Sequence, residues 1–309
     1  MLWYRGLRRR QRSGRTAAVQ SMGEGSILSS CLSQQYDDLR RQLADYRRTG
    51  AAEALHRARI AIRRFRALLR LFRKPLRGTG AGMVSGELRT LLRILGKARD
   101  QDVHRESLQQ IGKKLGIACG EPWRSFWDDW CRAGQGAHLQ ARSWLRDAPV
   151  RHLLRRAGSL CVADRRKEFR EAAEFRGFVA RRLSKSVRGL LRKKVRIGRL
   201  TPEEQHRFRR KCRLLRYWME FAQPHLGRGG SPFLKSARKV TAALGEARDA
   251  QVLAASLPKR GLPWVPEIQK CLEQRQARAL RKFSEAWKAW RRQRFMAQRF
   301  YRQVRASGP

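Results

Sequence analysis

Residues 56–73 (HRARIAIRRFRALLRLFR) constrain the fold most strongly, because their pattern fits a helix with two opposed faces. At about 100° per residue, apolar side chains fall along one face, which predicts that this face is buried in a core. Basic side chains fall along the opposite face. The apolar face carries Ala58, Ile62, Phe65, Leu68, Leu69 and Phe72, and the basic face carries His56, Arg59, Arg63, Arg66 and Arg70.

An aligned column of arginines is costly for a folded chain. Two guanidinium groups about 6 Å apart repel by roughly 3 kcal/mol at an effective dielectric constant near 20. A solvated helix face is the ordinary explanation for a run of charges, but acids are too scarce here to neutralise the basic residues. The chain has 72 Lys and Arg against 25 Asp and Glu, a net charge of +47. This excess predicts a polyanionic partner, which is a nucleic acid, an anionic membrane surface or a long phosphate polymer.

The basic motif occurs a second time later in the chain. His206 follows His56 at an offset of 150 residues, and LGKARDQDV at 95–103 recurs as LGEARDAQV at 244–252, at an offset of 149. Two blocks in the same order and at nearly the same offset predict an internal duplication of a helical unit. The second motif comprises His206, Arg209, Arg213 and Arg216, while Arg89 and Arg99 correspond to Arg238 and Arg248.

Helical periodicity continues along the rest of the chain, and no region shows the period-2 alternation that is typical of a strand. We therefore predict an all-α protein with two pseudo-symmetric four-helix bundles around a shared basic groove or channel. The predicted organisation is a disordered basic tail over residues 1–24, followed by one domain over residues 25–309. Within this domain, the first helical repeat spans 25–199 and the second spans 200–309.

Two further helical stretches carry a basic strip on one face, and we predict that both strips flank the groove. The sequence TPEE at 201–204 predicts the start of the helix that carries the second motif, because it combines a capping hydroxyl, a proline and two acids. The first strip consists of Arg181, Lys185, Arg188 and Arg192, and the second of Arg281, Lys288, Arg292 and Arg299.

The blocks HRARIAIRRFRALLRLF and HRFRRKCRLLRYWMEF, each followed by an LGxxRD helix, resemble the CHAD domain, the conserved histidine α-helical domain. The resemblance covers residues 28–305. It implies two four-helix bundles around a basic central cavity that binds inorganic polyphosphate, in a cytoplasmic protein associated with polyphosphate granules. The family's motif residues correspond to His56, Arg59, Arg63 and Arg66, and to His206, Arg209, Arg213 and Arg216.

Arginine suits a phosphate polymer, because it stays charged and its planar fork bonds phosphate oxygens in a bidentate way. The two histidines, placed among arginines, are expected to be neutral in the free protein and protonated beside a bound polyanion. The predicted polyphosphate-binding residues are His56, Arg59, Arg63, Arg66, Arg70, Arg89, Arg99, Arg181, Lys185, Arg188, His206, Arg209, Arg213, Arg216, Arg238, Arg248, Arg281 and Lys288.

Two features depart from the family pattern. Glu220 stands where the first repeat has Arg70, and residues 116–150 are interrupted by glycines and prolines and are rich in tryptophan. We expect these tryptophans to form an aromatic core between helices. A stacking surface for a single nucleic acid strand is the alternative, since aromatic and basic residues alternate there. The tryptophans are Trp123, Trp127, Trp130 and Trp144.

The sequence favours a binding site over a catalytic one. Asp100 and Asp249 occupy equivalent positions in the two repeats, but other acids are sparse and no GxxxxGK[ST] phosphate loop occurs. We expect each aspartate to hold a nearby arginine in position. The six cysteines form no CxxC pair and the six histidines no HxxxH or HExxH spacing, so we expect no metal and no other cofactor.

Other segments that would change the functional class are not found in the sequence. No stretch has the roughly 18 consecutive apolar residues of a membrane span. Residues 1–22 lack the apolar segment of a secretory signal, and no ExExK strand motif indicates a triphosphate-tunnel domain of the kind fused to some CHAD proteins.

Three functions remain open at this point. A module that binds polyphosphate, and thereby associates with or targets granules, is the one that the repeated basic faces favour. Non-specific binding of RNA or DNA is equally compatible with the charge alone. A phosphohydrolase or transferase acting on phosphate polymers is the third alternative.

Overall fold

The computed structural model describes the chain from residue 27 to residue 306, apart from a few short segments. The predicted basic tail at 1–24 lies outside the described residues. The described residues are 27–117, 120–162, 169, 171–192, 195–226, 230–258 and 262–306.

The described residues form helices and connecting turns, without a strand among them, which confirms the prediction of an all-α fold. A short 3-10 turn, Ile197–Arg199, precedes the second basic helix. The helices are α1 (Ile27–Thr49), α2 (Ala52–Leu71), α3 (Ala81–Leu115), α4 (Glu121–Trp144), α5 (Ala148–Val162), α6 (Ala172–Leu191), α7 (Pro202–Leu226), α8 (Ser231–Ser256), α9 (Val265–Arg292) and α10 (Arg294–Ala306).

Helices in the two parts of the chain pack in the same order. The first motif helix, α2, packs against α1 and α3, and the second motif helix, α7, packs against α6 and α8. The outer helices follow the same scheme, since α4 contacts α3 and α5 contacts α1, while α9 contacts α8 and α10 contacts α6. The predicted boundary after residue 199 places α6 in the first repeat, although α6 packs against α7 and α10. The internal duplication itself stays a prediction.

In the described part of the chain, each of these series has five helices, one more than the four predicted. The additional helix of the first series is α4, which continues through Gly134 and Gly136. Each glycine costs about 1 kcal/mol in a helix interior. The apolar face of α4, which buries Trp123, outweighs that cost.

The apolar face of α2 is buried along its whole length, as its periodicity predicts. Phe65 is fully buried, and Phe72 stacks on Phe175 and Phe178 of α6 with ring centroids 5.6 and 5.5 Å away. Burial of each large apolar side chain contributes roughly 1.5–3 kcal/mol. All six residues of the predicted apolar face are buried: Ala58, Ile62, Phe65, Leu68, Leu69 and Phe72.

Direct contact between α2 and α7 joins the two motif helices. The indole Nε1 of Trp218 donates a buried hydrogen bond of 2.7 Å to the backbone oxygen of Ala67.

The N-terminus of α7 begins with the cap that the sequence TPEE predicts. The Thr201 amide donates to Glu204 Oε2 (2.9 Å), and the Glu204 amide donates to Thr201 Oγ1 (3.2 Å). The cap fixes the first turn of α7, from which the second motif begins.

A second, smaller core forms where the end of α3 packs against α4, the end of α8 and the start of α9. Trp123 is buried there, and its ring centroid lies 5.1 Å from that of Trp264. This confirms the expectation of an aromatic core for Trp123, whereas Trp144 is 38 % exposed.

None of the helices in the described ranges offers the apolar length that crossing a bilayer requires.

Gly112 and Gly86, both on α3, provide a matched test of this second core. A methyl group at Gly112 would lie 2.7 Å from Cζ2 of Trp123, whereas one at Gly86 would meet nothing within 4 Å. Gly112→Ala should therefore lower the free energy of unfolding by roughly 1–3 kcal/mol. Gly86→Ala should raise it by about 0.5–1 kcal/mol, because alanine favours the helix. Urea unfolding measures both, and equal effects of the two substitutions would contradict this packing.

Candidate functional site

The contact between α2 and α7 brings their basic faces together around Arg63. Burial lowers the pKa of four arginines, two from each helix, and the charge of Arg63 adds to the lowering of each. Arg63 therefore lies within electrostatic reach of arginines from both motifs, while the shared groove or channel stays a prediction. We call this group the Arg63 cluster; it comprises Arg59, Arg63, Arg66, Arg209 and Arg213.

Repulsion within the Arg63 cluster acts on side chains that are partly withdrawn from water. Arg59 is only 8 % exposed, and burial together with the charge of Arg63 lowers its pKa to about 10. Burial and the charges of Arg70 and Arg89 lower the pKa of Arg66 to about 10 as well. These groups stay cationic at neutral pH. The cluster is thus a source of instability that a bound anion would relieve.

Hydrogen bonds to neutral groups fix several of these arginines without cancelling their charge. Arg59 Nη1 donates to the backbone oxygen of Leu92 (2.7 Å), and Arg66 Nε donates to that of Ser85 (2.9 Å). Both carbonyls belong to α3, the neighbour of α2. Each bond uses one of the five N–H donors of its guanidinium, so these carbonyls leave the other donors unengaged.

The glycine of the first LGxxRD motif gives Arg59 of the cluster room to lie against the next helix, whereas a methyl group at the glycine of the second motif would make only an ordinary contact. A methyl group at Gly96 would lie 3.3 Å from Arg59 Nη1, and one at Gly245 would lie 3.6 Å from Arg209 Nη2. The sequence analysis did not assign this role to the glycines. The signal was present, because both glycines occur at the same place in the two repeats.

Tyr217 is a further component that the sequence analysis did not identify. It is 6 % exposed, and the guanidinium carbon of Arg216 lies 4.7 Å from its ring centroid. Tyr217 lies within electrostatic reach of Arg59, Arg209 and Arg213, which are cluster members from both motif helices. The corresponding residue of the first repeat is an alanine, so the repeat itself gave no signal for a tyrosine.

The two motif histidines lie beside arginines of their own part of the chain. Burial lowers the pKa of His56, and the charge of Arg99 adds to this effect. Burial also lowers the pKa of His206, to which Arg210 and Arg209 add. Both directions agree with the expectation of neutral imidazoles in the free protein.

Arg99 is tied to a buried network that reaches α1. Its Nη1 lies 3.9 Å from Asp102 Oδ2, and Asp102 Oδ1 accepts a 2.9 Å hydrogen bond from His138 Nε2. The Tyr46 hydroxyl donates to His138 Nδ1 (3.0 Å), and burial followed by the charge of Asp102 raises the pKa of Tyr46 to about 12. This network holds Arg99 next to His56.

Arg248, the counterpart of Arg99, has a neutral partner, since its Nη1 donates to Gln251 Oε1 at 3.1 Å. The two aspartates of the LGxxRD motifs act on arginines of the cluster, as expected. Asp100 favours the charged form of Arg59, and Asp249 favours that of Arg209. Both acids therefore lie within electrostatic reach of the cluster, and their role in positioning its arginines stays a prediction.

Not all predicted binding residues belong to this arrangement. Arg70 and Arg89 act on Arg66 and extend the cluster along α2 and α3, and Arg238 is hydrogen-bonded to Glu220 at 3.2 Å. The strip residues on α6 and α9 are solvent-exposed, and no hydrogen bond or ion pair within the described ranges joins them to the Arg63 cluster. Their role stays a prediction for Arg181, Lys185, Arg188, Arg281 and Lys288.

Neighbouring residues on α6 and α9 instead approach the motif helix α2 and its neighbour α3, respectively. Arg182 donates to the backbone oxygen of Arg70 (3.5 Å), and Arg275 Nη1 donates to Ser107 Oγ on α3 (3.2 Å).

The described residues contain no group of histidine, cysteine, aspartate and glutamate side chains placed to hold a metal ion.

Comparison with known proteins agrees with this architecture. A family model described as the CHAD domain matches residues 30–258. The comparison with curated proteins gave no match. PptA from Streptomyces chartreusis is 20% identical with a TM-score of 0.62, over 84% of this chain and 98% of that one. The crystal structure of the CHAD domain from the plant Ricinus communis is 19% identical with a TM-score of 0.56, over 92% of each chain. At these identities, the structural likeness shows the fold alone.

The lowered pKa values of the histidines predict how stability changes with pH. Below about pH 6.5, unfolded histidines take up protons that His56 and His206 resist in the folded state. The free energy of unfolding should therefore fall as the pH drops from 7.5 to 5.5 in the absence of anions. Urea unfolding of a His56→Gln/His206→Gln variant should show a shallower fall.

His152→Gln, a substitution on α5 away from the site, is the matched control for loss of a histidine. The double variant must have a shallower pH dependence than this control. A pH dependence equal to that of wild type would contradict the placement of the two motif histidines.

Proposed function

This chain belongs to the CHAD domain family, and we propose that it binds inorganic polyphosphate through the Arg63 cluster. The observation that carries the proposal is the convergence of arginines from α2 and α7 on Arg63. Such a site requires an anion with several charges at short, regular spacing, and CHAD domains are linked to polyphosphate.

Polyphosphate fits this arrangement better than a single phosphate does. It carries about one negative charge per phosphate along a flexible chain, so consecutive phosphates can pair with consecutive arginines. The planar forks of Arg63 and Arg213 would each bond phosphate oxygens in a bidentate way. Each pair formed would also remove part of the repulsion that lowers the pKa of its neighbours.

The histidines would add hydrogen-bond donors once the anion is bound. Negative charge beside His56 and His206 raises their pKa, which opposes the lowering by burial and by the arginines. Binding near neutral pH would then be accompanied by proton uptake. The affinity would rise as the pH falls from about 8 to 6.

Binding, rather than turnover, is the function we propose for the site. Asp100 and Asp249 act on Arg59 and Arg209, which supports a positioning role for both acids. In the cell, such a module would associate with polyphosphate granules in the cytoplasm or would target a partner to them. Incubation with polyphosphate and a divalent cation, followed by electrophoresis of the polymer, tests the enzymatic alternative.

The central test is binding of defined-length polyphosphate to wild type and to the Arg63→Ala/Arg213→Ala variant. The variant should lose at least 10-fold in affinity, because each lost charge-assisted bond contributes roughly 1.5–3 kcal/mol. Calorimetry measures this loss, and titrations in buffers of different ionisation enthalpy measure the proton uptake.

An Arg41→Ala/Arg124→Ala variant serves as the control, because it removes the same charge from exposed positions on α1 and α4. Unchanged affinity in the Arg63→Ala/Arg213→Ala variant would refute the site. In competition, polyphosphate should displace RNA at low concentration; the reverse result would assign the site to nucleic acid instead.

A further inference from the structure

Glu220 lies among three arginines from three helices. Its Oε1 accepts a 3.2 Å hydrogen bond from Arg238 Nε on α8 and lies 3.8 Å from Arg216 Nε on α7. Its Oε2 lies 3.9 Å from Arg64 Nη2 on α2. The Glu220 side chain is only 16 % exposed. In a chain with so few acids, this carboxylate sits where three guanidinium groups converge, hydrogen-bonded to Arg238, while its Oε2 and the Nε of Arg216 are buried without a hydrogen-bond partner.

The corresponding place in the first repeat has no acid. Arg70 stands where the second repeat has Glu220, and Arg66 and Arg89 correspond to Arg216 and Arg238. There, burial and then the charges of Arg70 and Arg89 lower the pKa of Arg66 to about 10. The first-repeat group is therefore a concentration of arginines without an acid, and the corresponding group of the second repeat carries an acid of its own.

A second position also has a base in the first repeat and an acid in the second. Lys97 of LGKARD corresponds to Glu246 of LGEARD. Glu246 lies 3.9 Å from Arg275 Nε and 3.5 Å from Lys282 Nζ of α9. In the second repeat, therefore, two bases of the first are replaced by acids that each contact more than one cation.

We propose that Glu220 closes one end of the anion site. Its carboxylate occupies the place that a phosphate would take between Arg216 and Arg238, so the polymer cannot continue there. A bound polyphosphate chain then extends across Arg63 and leaves past the open end formed by Arg66, Arg70 and Arg89. This inference rests on the proposed function, because it specifies where along that same site the polymer lies.

The closed end has a consequence that depends on chain length. A short anion fits within the open end and does not approach Glu220. A long chain gains contacts until its path meets this carboxylate, where repulsion and the occupied arginines stop it. Glu220 thus limits how many phosphates the protein can bind at once.

The experiment compares triphosphate and long-chain polyphosphate on wild type, Glu220→Gln and Glu220→Arg. Glu220→Gln should strengthen binding of the long chain by roughly 10-fold, since it frees arginines for additional phosphate contacts. The dependence of log K on log salt should become steeper by about one to two released ions. Binding of triphosphate should stay unchanged, and Glu220→Arg should extend the gain for the long chain.

Glu273→Gln, which removes an exposed acid from α9, controls for the change in net charge, and thermal unfolding verifies that each variant is folded. Equal long-chain affinities of Glu220→Gln and Glu273→Gln would overturn the proposal. So would an equal gain for triphosphate, which would indicate a general charge effect. If wild type binds polyphosphate but these differences do not appear, only the closed end is refuted; if wild type does not bind it, the proposed function itself fails.

Discussion

Repulsion among buried arginines is the interaction on which the rest of this structure depends. The Arg63 cluster gathers like charges from α2 and α7 at a place where water screens them poorly. Helices with such faces would separate if nothing else held them. The opposite face of α2 is buried through Phe65 and Phe72, and the Trp218 hydrogen bond to Ala67 ties α7 to it. The hydrophobic cores thus supply the free energy that keeps the charges together.

The clustered arginines lower the stability of the fold, and under the proposed function they raise the affinity for a polyanion. An unliganded protein carries this electrostatic cost, and under the proposed function a polyanion would recover it on binding, so that the site would be prepared before the ligand arrives. Glu220 shows the same principle within the chain, because it neutralises Arg216 and Arg238 where the first repeat leaves Arg66 and Arg89 without an acid. Intramolecular neutralisation and ligand binding are alternative solutions to one electrostatic problem.

Periodicity predicted the faces of α2, and the spacing of the repeat predicted that the second motif would meet the first. Both follow from local geometry, in which residue spacing fixes direction. The fit of Gly96 against Arg59 and the position of Tyr217 were not predicted, because they depend on how closely two helices approach. On α6, Arg182 reaches α2 whereas the adjacent Arg181 is exposed to solvent. Which of two adjacent residues faces α2 depends on how the helix is rotated about its axis, and periodicity alone does not fix that rotation.

The thermal stability of an Arg63→Met variant, with and without polyphosphate, tests the central claim most directly. Methionine keeps an apolar stem but removes the charge at the centre of the cluster. Without anions the melting temperature should rise above that of wild type, by roughly 2–4 °C for each kcal/mol of repulsion removed. The increase that polyphosphate causes in wild type should shrink. Arg105→Met, an exposed substitution on α3, should show neither effect. A lower melting temperature with an undiminished response to polyphosphate would contradict the account.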